Sequence, residues 1–147
     1  MGLPAIVAKL KTLLEEVDGI ETVLDYVPSI DPDPSLLPMI IIDPGPASPG
    51  NGTQTRRRIT WPIDLIVLTS KRGTDLAADL ALVRPFPEAV IAKLDSSVML
   101  GGALVRAMDY PDPMMQEIGP IPWAKTTYIG FILYPNCTIE VAQRFMD

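Results

Sequence analysis

The side chains that carry most enzyme chemistry are scarce in this chain. Its 147 residues include no His and a single Cys, Cys137. Without His there is no ordinary proton shuttle near neutral pH, no Ser-His or Cys-His nucleophile, and no ordinary zinc site. Cys137 has no partner for an internal disulfide and reads as a small, partly buried hydrophobe. Ser29, Ser35, Ser48, Ser70, Ser96 and Ser97 have no activating base in view. Asp31 and Asp33 sit on a proline-stiffened segment and fall short of the roughly six to eight oxygens that calcium takes. Asp64 or Asp109 could serve as a base in a small ligand-binding α+β domain or enzyme, which is the alternative from a different functional class. The composition argues against an enzyme, and no catalytic residue, cofactor or metal is expected.

Two segments carry interaction chemistry instead. Residues 45–52 are glycine-rich, but they lack the Gly-Lys-Ser/Thr ending of a phosphate loop, and a strand rather than a helix follows. Asn51-Gly52 could form a tight turn at the tip of that loop. At its root Arg56, Arg57 and Arg58 stand together. They suit a basic contact for an acidic partner, a neighbouring subunit or a phosphate backbone; they equally suit a solvated strand end that discourages edge aggregation. Met108, Met114 and Met115 beside Tyr110 could form an adaptable contact surface or fill the core.

Charge is distributed unevenly. The net charge is −6, and residues 1–55 hold two Lys against eight Asp or Glu, whereas residues 56–147 hold ten of each sign. A net-acidic chain without a basic tail is poorly suited to gripping nucleic acid by its phosphates. Met1-Gly2-Leu3-Pro4 lacks the basic region and long apolar run of a signal peptide, and no stretch approaches the ~20 apolar residues of a membrane span. A soluble chain without a membrane partner is the expectation.

The elements that must position these residues follow from periodicity. Ile6, Leu10, Leu13, Leu14 and Val17 recur at three and four, predicting a helix over 4–18 opened by Pro4 and capped by Gly19. Alternation from Ile20 to Val27 predicts a strand, followed by an extended connector, Pro28–Ser35, in which proline forbids helix and ladder pairing. Leu37–Ile42 reads as a buried strand. Residues 44–55 contain no apolar side chain larger than Ala, which predicts a flexible loop. Arg56–Thr69 reads as a long strand with Ile59, Trp61, Ile63, Leu65 and Val67 on one face. Thr74–Leu94 predicts a kinked helix or two short ones, broken near Arg84-Pro85. Strands are expected at Ala103–Tyr110 and Trp123–Tyr134, with a proline- and methionine-rich loop between them and a short closing helix over 138–146.

The expected architecture is a single α+β domain spanning residues 1–147, in the order α-β-β-β-α-β-β. A mostly antiparallel sheet carries two main helices packed on one face.

The arrangement resembles a known family. An N-terminal amphipathic helix and a strand precede the Leu-Pro-x-Ile-Ile-Ile strand at Leu37 to Ile42 and a long loop. Then come the Trp-Pro-Ile-Asp-Leu strand at Trp61 to Leu65, a helix, the Leu-Gly-Gly turn at Leu100 to Gly102, and Tyr-Ile-Gly-Phe-Ile-Leu at Tyr128 to Leu133. This layout resembles the tail terminator, or tail completion, proteins of long-tailed bacteriophages and related neck proteins. The resemblance covers nearly the whole chain and is one of layout and length. It implies a structural virion protein of the phage tail and neck, assembled in the host cytoplasm as a homohexameric ring. Such a ring caps the tail tube, contacts the tail-tube protein and a head-side neck or adaptor protein, and lets DNA pass through its lumen without specific binding. A head-completion or head-to-tail adaptor is the nearest alternative within the same machinery. An acidic subunit suits a lumen through which like-charged duplex must slide. Contact residues expected from the sequence are Arg56, Arg57, Arg58, Asn51, Gly52, Met114 and Met115.

Overall fold

The computed structural model describes residues 2–49 and 56–142, without the side chains of Arg56 and Ala142. Helix α1 spans Leu3–Leu14, ending earlier than the expected 4–18, and buries Ile6, Leu10 and Leu14; of the rest of the expected stripe, Leu13 is partly buried and Val17 is buried in the turn beyond the helix. Pro4 sits in its first turn, where the missing N–H costs nothing, and Gly19 takes φ of 87° in the turn after it. Each fully buried aliphatic side chain of this stripe contributes about 1.5–3 kcal/mol of transfer free energy.

Seven strands follow among the described residues: β1 (Thr22–Leu24), β2 (Met39–Pro44), β3 (Ser48–Pro49), β4 (Arg56–Lys71), β5 (Met115–Trp123), β6 (Thr126–Leu133) and β7 (Asn136–Ala142). Helices α2 (Leu76–Val83) and α3 (Phe86–Asp95) lie between β4 and β5, separated at Arg84-Pro85 as the prolines require. The main sheet has the order β1-β2-β4-β6-β5 and is antiparallel except for β1 with β2. β4 is the backbone of the molecule. Its second half is sandwiched between β2 and β6, while its first half leaves the main sheet and pairs with β3 and β7. The fold is therefore α+β with a mostly antiparallel open sheet. None of the described helices is long and apolar enough to cross a membrane.

Alternation along the strands divides the sheet into two faces. Ile40 and Ile42 of β2, Ile63, Leu65 and Val67 of β4, and Ile129, Phe131 and Leu133 of β6 join α1, α3, Cys137 and Ile139 in the main core. All three helices contribute to this one face. The other face carries a smaller cluster of Met39, Ile41, Ile66, Leu68, Ile121 and Tyr128. A bulge at Thr69, between the Leu68–Gly130 and Ser70–Ile129 pairs, is stitched by the buried Thr69 hydroxyl donating to the Ile129 carbonyl at 2.7 Å.

Several expectations are corrected. β1 is shorter than Ile20–Val27 and runs parallel to β2, because the long segment between them crosses over instead of turning back. That segment is not wholly extended: Pro34–Leu36 forms a 3-10 turn, with proline tolerated at its first position. Within the expected 44–55 loop, Ser48–Pro49 pairs with Ile59 and Thr60, and the Gly45 N–H donates to Pro62 at 2.7 Å. The tip of that loop, including Asn51 and Gly52, lies outside the described residues.

No strand forms over Ala103–Tyr110. Apart from one bridge between Asp109 and Asn136, that segment is turns, with Ala103 and Leu104 buried. β5 instead occupies the expected proline-rich loop, at the edge of the sheet where Pro120 and Pro122 cost no interior ladder bond. The closing element is strand β7 and not a helix over 138–146. Cys137 and Ile139 alternate into the core, with Val141 packed against it, and residues beyond Ala142 lie outside the described set. The observed order is thus α-β-β-β-β-α-α-β-β-β.

Candidate functional site

Three surface features are built by these elements. The first is the arm formed where β4 extends past the main sheet between β3 and β7. The ladder places Arg56, Arg57 and Arg58 opposite Ala142, Val141 and Glu140 at its far end. Arg57 and Arg58 are exposed, and the Arg58 guanidinium lies 3.7 Å from the Glu140 carboxylate. Being partly exposed, this pair contributes little, at most about 1 kcal/mol. Further along the same face the Thr60 and Thr138 hydroxyls share a 2.9 Å hydrogen bond, and Arg106 Nε donates to Thr138 at 3.1 Å. A polar row on this face fits an arm that stands in water or against a polar partner.

The second feature is a strap. Residues 25–38 leave β1 and cross the smaller apolar cluster on the open side of the sheet. Trp123 Nε1 donates to the Pro28 carbonyl at 3.1 Å, and the Tyr128 hydroxyl donates to Asp31 at 3.3 Å. Asp33 accepts the Ser35 N–H at 2.9 Å, and hydrogen bonding by Ser35 holds its carboxyl below the usual carboxylate range, with Lys71 adding attraction. While its backbone is tied down, the strap turns apolar side chains outward: Tyr26, Val27, Ile30 and Leu36 are 60, 48, 73 and 39% exposed. Asp31, which the sequence places on the proline-stiffened connector, is half-buried and is one of the two anchors of this strap.

The third feature is α2. Its sequence is apolar around almost the whole circumference, yet it buries only Val83 and leaves Leu76 and Leu82 exposed. A helix of that character is ordinarily covered on both sides.

The remaining candidates separate. Met114 and Met115 are half-buried and packed against the main core, where Met114 accepts the Tyr134 N–H at 3.0 Å. Asp109 lies beside β7 and forms a 3.7 Å ion pair with Arg106. Asp43 and Asp64 stand directly opposite each other on β2 and β4. Among the described residues no group of three or more acidic or Cys side chains could hold a metal ion. Burial pushes the Cys137 thiol up to about 12, with Asp109 adding to the shift, so the thiolate needed for nucleophilic chemistry does not form near neutral pH. A groove of about 350 Å³ between α1 and the Leu100–Gly101 turn is lined by Lys9, Thr12, Glu16 and Ser97 along with apolar residues.

The Asp43–Asp64 pair yields a pH prediction. Burial raises the Asp64 carboxyl above its ordinary value, and the facing Asp43 charge raises it further. A raised native pKa means that the folded chain binds a proton more readily than the unfolded one. The charged pair therefore lowers stability at neutral pH, and this penalty lifts as pH falls through the raised value toward the ordinary carboxylate range. Asp64→Asn should stabilise the fold at pH 7 by about 0.2–1 kcal/mol, the scale of a cross-strand charge pair. The gain should vanish near pH 4. Urea midpoints of the variant and the parent at both pH values test this; equal gains at both would refute it.

No family model matches this chain, and no curated protein matches it.

Proposed function

We propose that this chain is a structural subunit of a ring that terminates the tail of a long-tailed bacteriophage and joins it to the head. The observation that carries the reading is the surplus of unpartnered apolar surface. Tyr26, Val27, Ile30 and Leu36 on the strap and Leu76 and Leu82 on α2 face solvent in the isolated chain. Large apolar side chains grouped on two separate surfaces fit a subunit with neighbours on more than one side. Layout supports the same reading, since the helices cover one face of an antiparallel sheet and one long strand projects beyond it. Acidity supports it too, because a net charge of −6 keeps duplex DNA from adhering to a channel it must pass. In this role the chain acts by shape and contact, with no catalytic residue, cofactor or metal.

Deleting the chain from the phage that carries it tests the assignment. Overlong or headless tails are expected. Tails of normal length beside heads that leak DNA would contradict it and assign the chain to a head-completion or adaptor role.

A further inference from the structure

We infer that the strap is a detachable cover: residues 25–37 lift off the sheet as one unit while the rest of the chain stays folded, and the apolar cluster beneath is uncovered. This property belongs to the isolated chain and does not depend on the ring reading. Helices α1, α2 and α3 bury their apolar side chains in the main core, on the other face of the sheet. Met39, Ile41, Leu68 and Tyr128 on the open face are nevertheless fully buried. The strap is what shields them. Leu24, where it begins, and Leu37, where it ends, pack against this cluster, and its middle is tied to Trp123 and Tyr128.

The cover is held more loosely than what it covers. Of residues 25–36 only Pro32 is buried, while Tyr26, Val27, Ile30 and Leu36 face outward. From residue 26 to residue 33, among the described residues, two hydrogen bonds reach the rest of the fold, and neither belongs to a backbone ladder. Trp123 Nε1 donates one to the Pro28 carbonyl, and the Tyr128 hydroxyl donates the other to Asp31. Both donors sit on the β5–β6 hairpin, so a single hairpin grips the strap. A segment with so little buried apolar surface and so few backbone bonds opens at a lower free energy than the strands below it. Those strands, β2 and β4, are paired along both edges. Prolines at 28, 32 and 34 fix φ and stiffen the strap, so it moves as a body.

Labelling of the full folded chain with an aromatic disulfide reagent reads the opening. Leu68→Cys places a thiol on the covered face, between Met39 and Gly130, while Cys137 in the main core reports global unfolding of the same molecule. Any stability lost through the substitution acts on both thiols alike. The introduced thiol should react at least about tenfold faster than Cys137. Its rate should also rise less steeply with urea, because opening exposes only the strap and the face below it. Adding Tyr128→Phe, which keeps the ring and deletes the donor to Asp31, should speed that reaction about tenfold further. Met39→Cys is the second probe if Leu68→Cys does not fold, with the same result expected. Two thiols that react at one rate with one urea slope would overturn the proposal, since the face then opens only when the whole chain unfolds. An introduced thiol as reactive as one in the unfolded chain would overturn it too, because the face is then not covered. So would a fast reaction that Tyr128→Phe leaves unchanged, since the strap is then not the part that moves.

Discussion

Gly130→Ala is expected to cost about 4 kcal/mol or more of folding stability, among the largest effects a single methyl group can have. Gly130 pairs with Leu68 at the centre of the sheet, immediately before the Thr69 bulge. A Cβ there would overlap the Val67 carbonyl oxygen, lie 2.9 Å from the Val67 carbonyl carbon and press on Ile121 at 3.3 Å. The obstruction is backbone of the central strand, which cannot rotate away as a side chain would. β4 and β6 must separate, and the ladder between them carries both faces of the sheet. Gly119→Ala on β5 is the control, because its Cβ would meet nothing closer than 3.9 Å and its backbone is not left-handed. Urea unfolding of both variants should show a collapsed midpoint for Gly130→Ala and a near-parental one for Gly119→Ala. Similar midpoints would contradict the described β4–β6 approach.

Phe131→Ala should cost about 3–5 kcal/mol, while Ile132→Ala, one residue on, should cost only about 1–2 kcal/mol. Phe131 is fully buried in the main core opposite Val67, whereas Ile132 points to the open face and is partly exposed. Removing the ring leaves a large cavity in the main core; removing the smaller chain trims one rim of the minor cluster. The contrast tests which face of β6 the helices cover. Equal costs would mean that the register of β6 is wrong.

Sequence made the strongly patterned elements legible for a physical reason. α1, β4 and β6 bury a face against the same core, so their spacing follows 3.6 or 2 residues, while β2, buried on both faces, reads as a short continuous apolar run. Elements with weaker burial were hidden. β5 lies at a sheet edge, where Pro120 and Pro122 are tolerated, so the prolines that announce a loop elsewhere announce nothing there. β7 did leave a signal. Cys137, Ile139 and Val141 alternate, but Glu140 and Thr138 between them also suit a short polar-faced helix. The parallel pairing of β1 was foreshadowed only by the length of the connector after it.

The strap could not be read from the chain. Its anchors, Trp123 to Pro28 and Tyr128 to Asp31, join residues 95 and 97 positions apart. Periodicity carries no information at that range. The arginine triplet was visible as a motif, but its location on an arm outside the main sheet depends on β7, and so does the pairing of Arg58 with Glu140.

The ring itself is tested most directly by light scattering of the unmodified chain across a concentration series, with negative-stain microscopy of the most concentrated sample. Closed rings with a mass near six times 16.0 kDa are expected. A monomer at every concentration, with no ring in any field, would contradict the account.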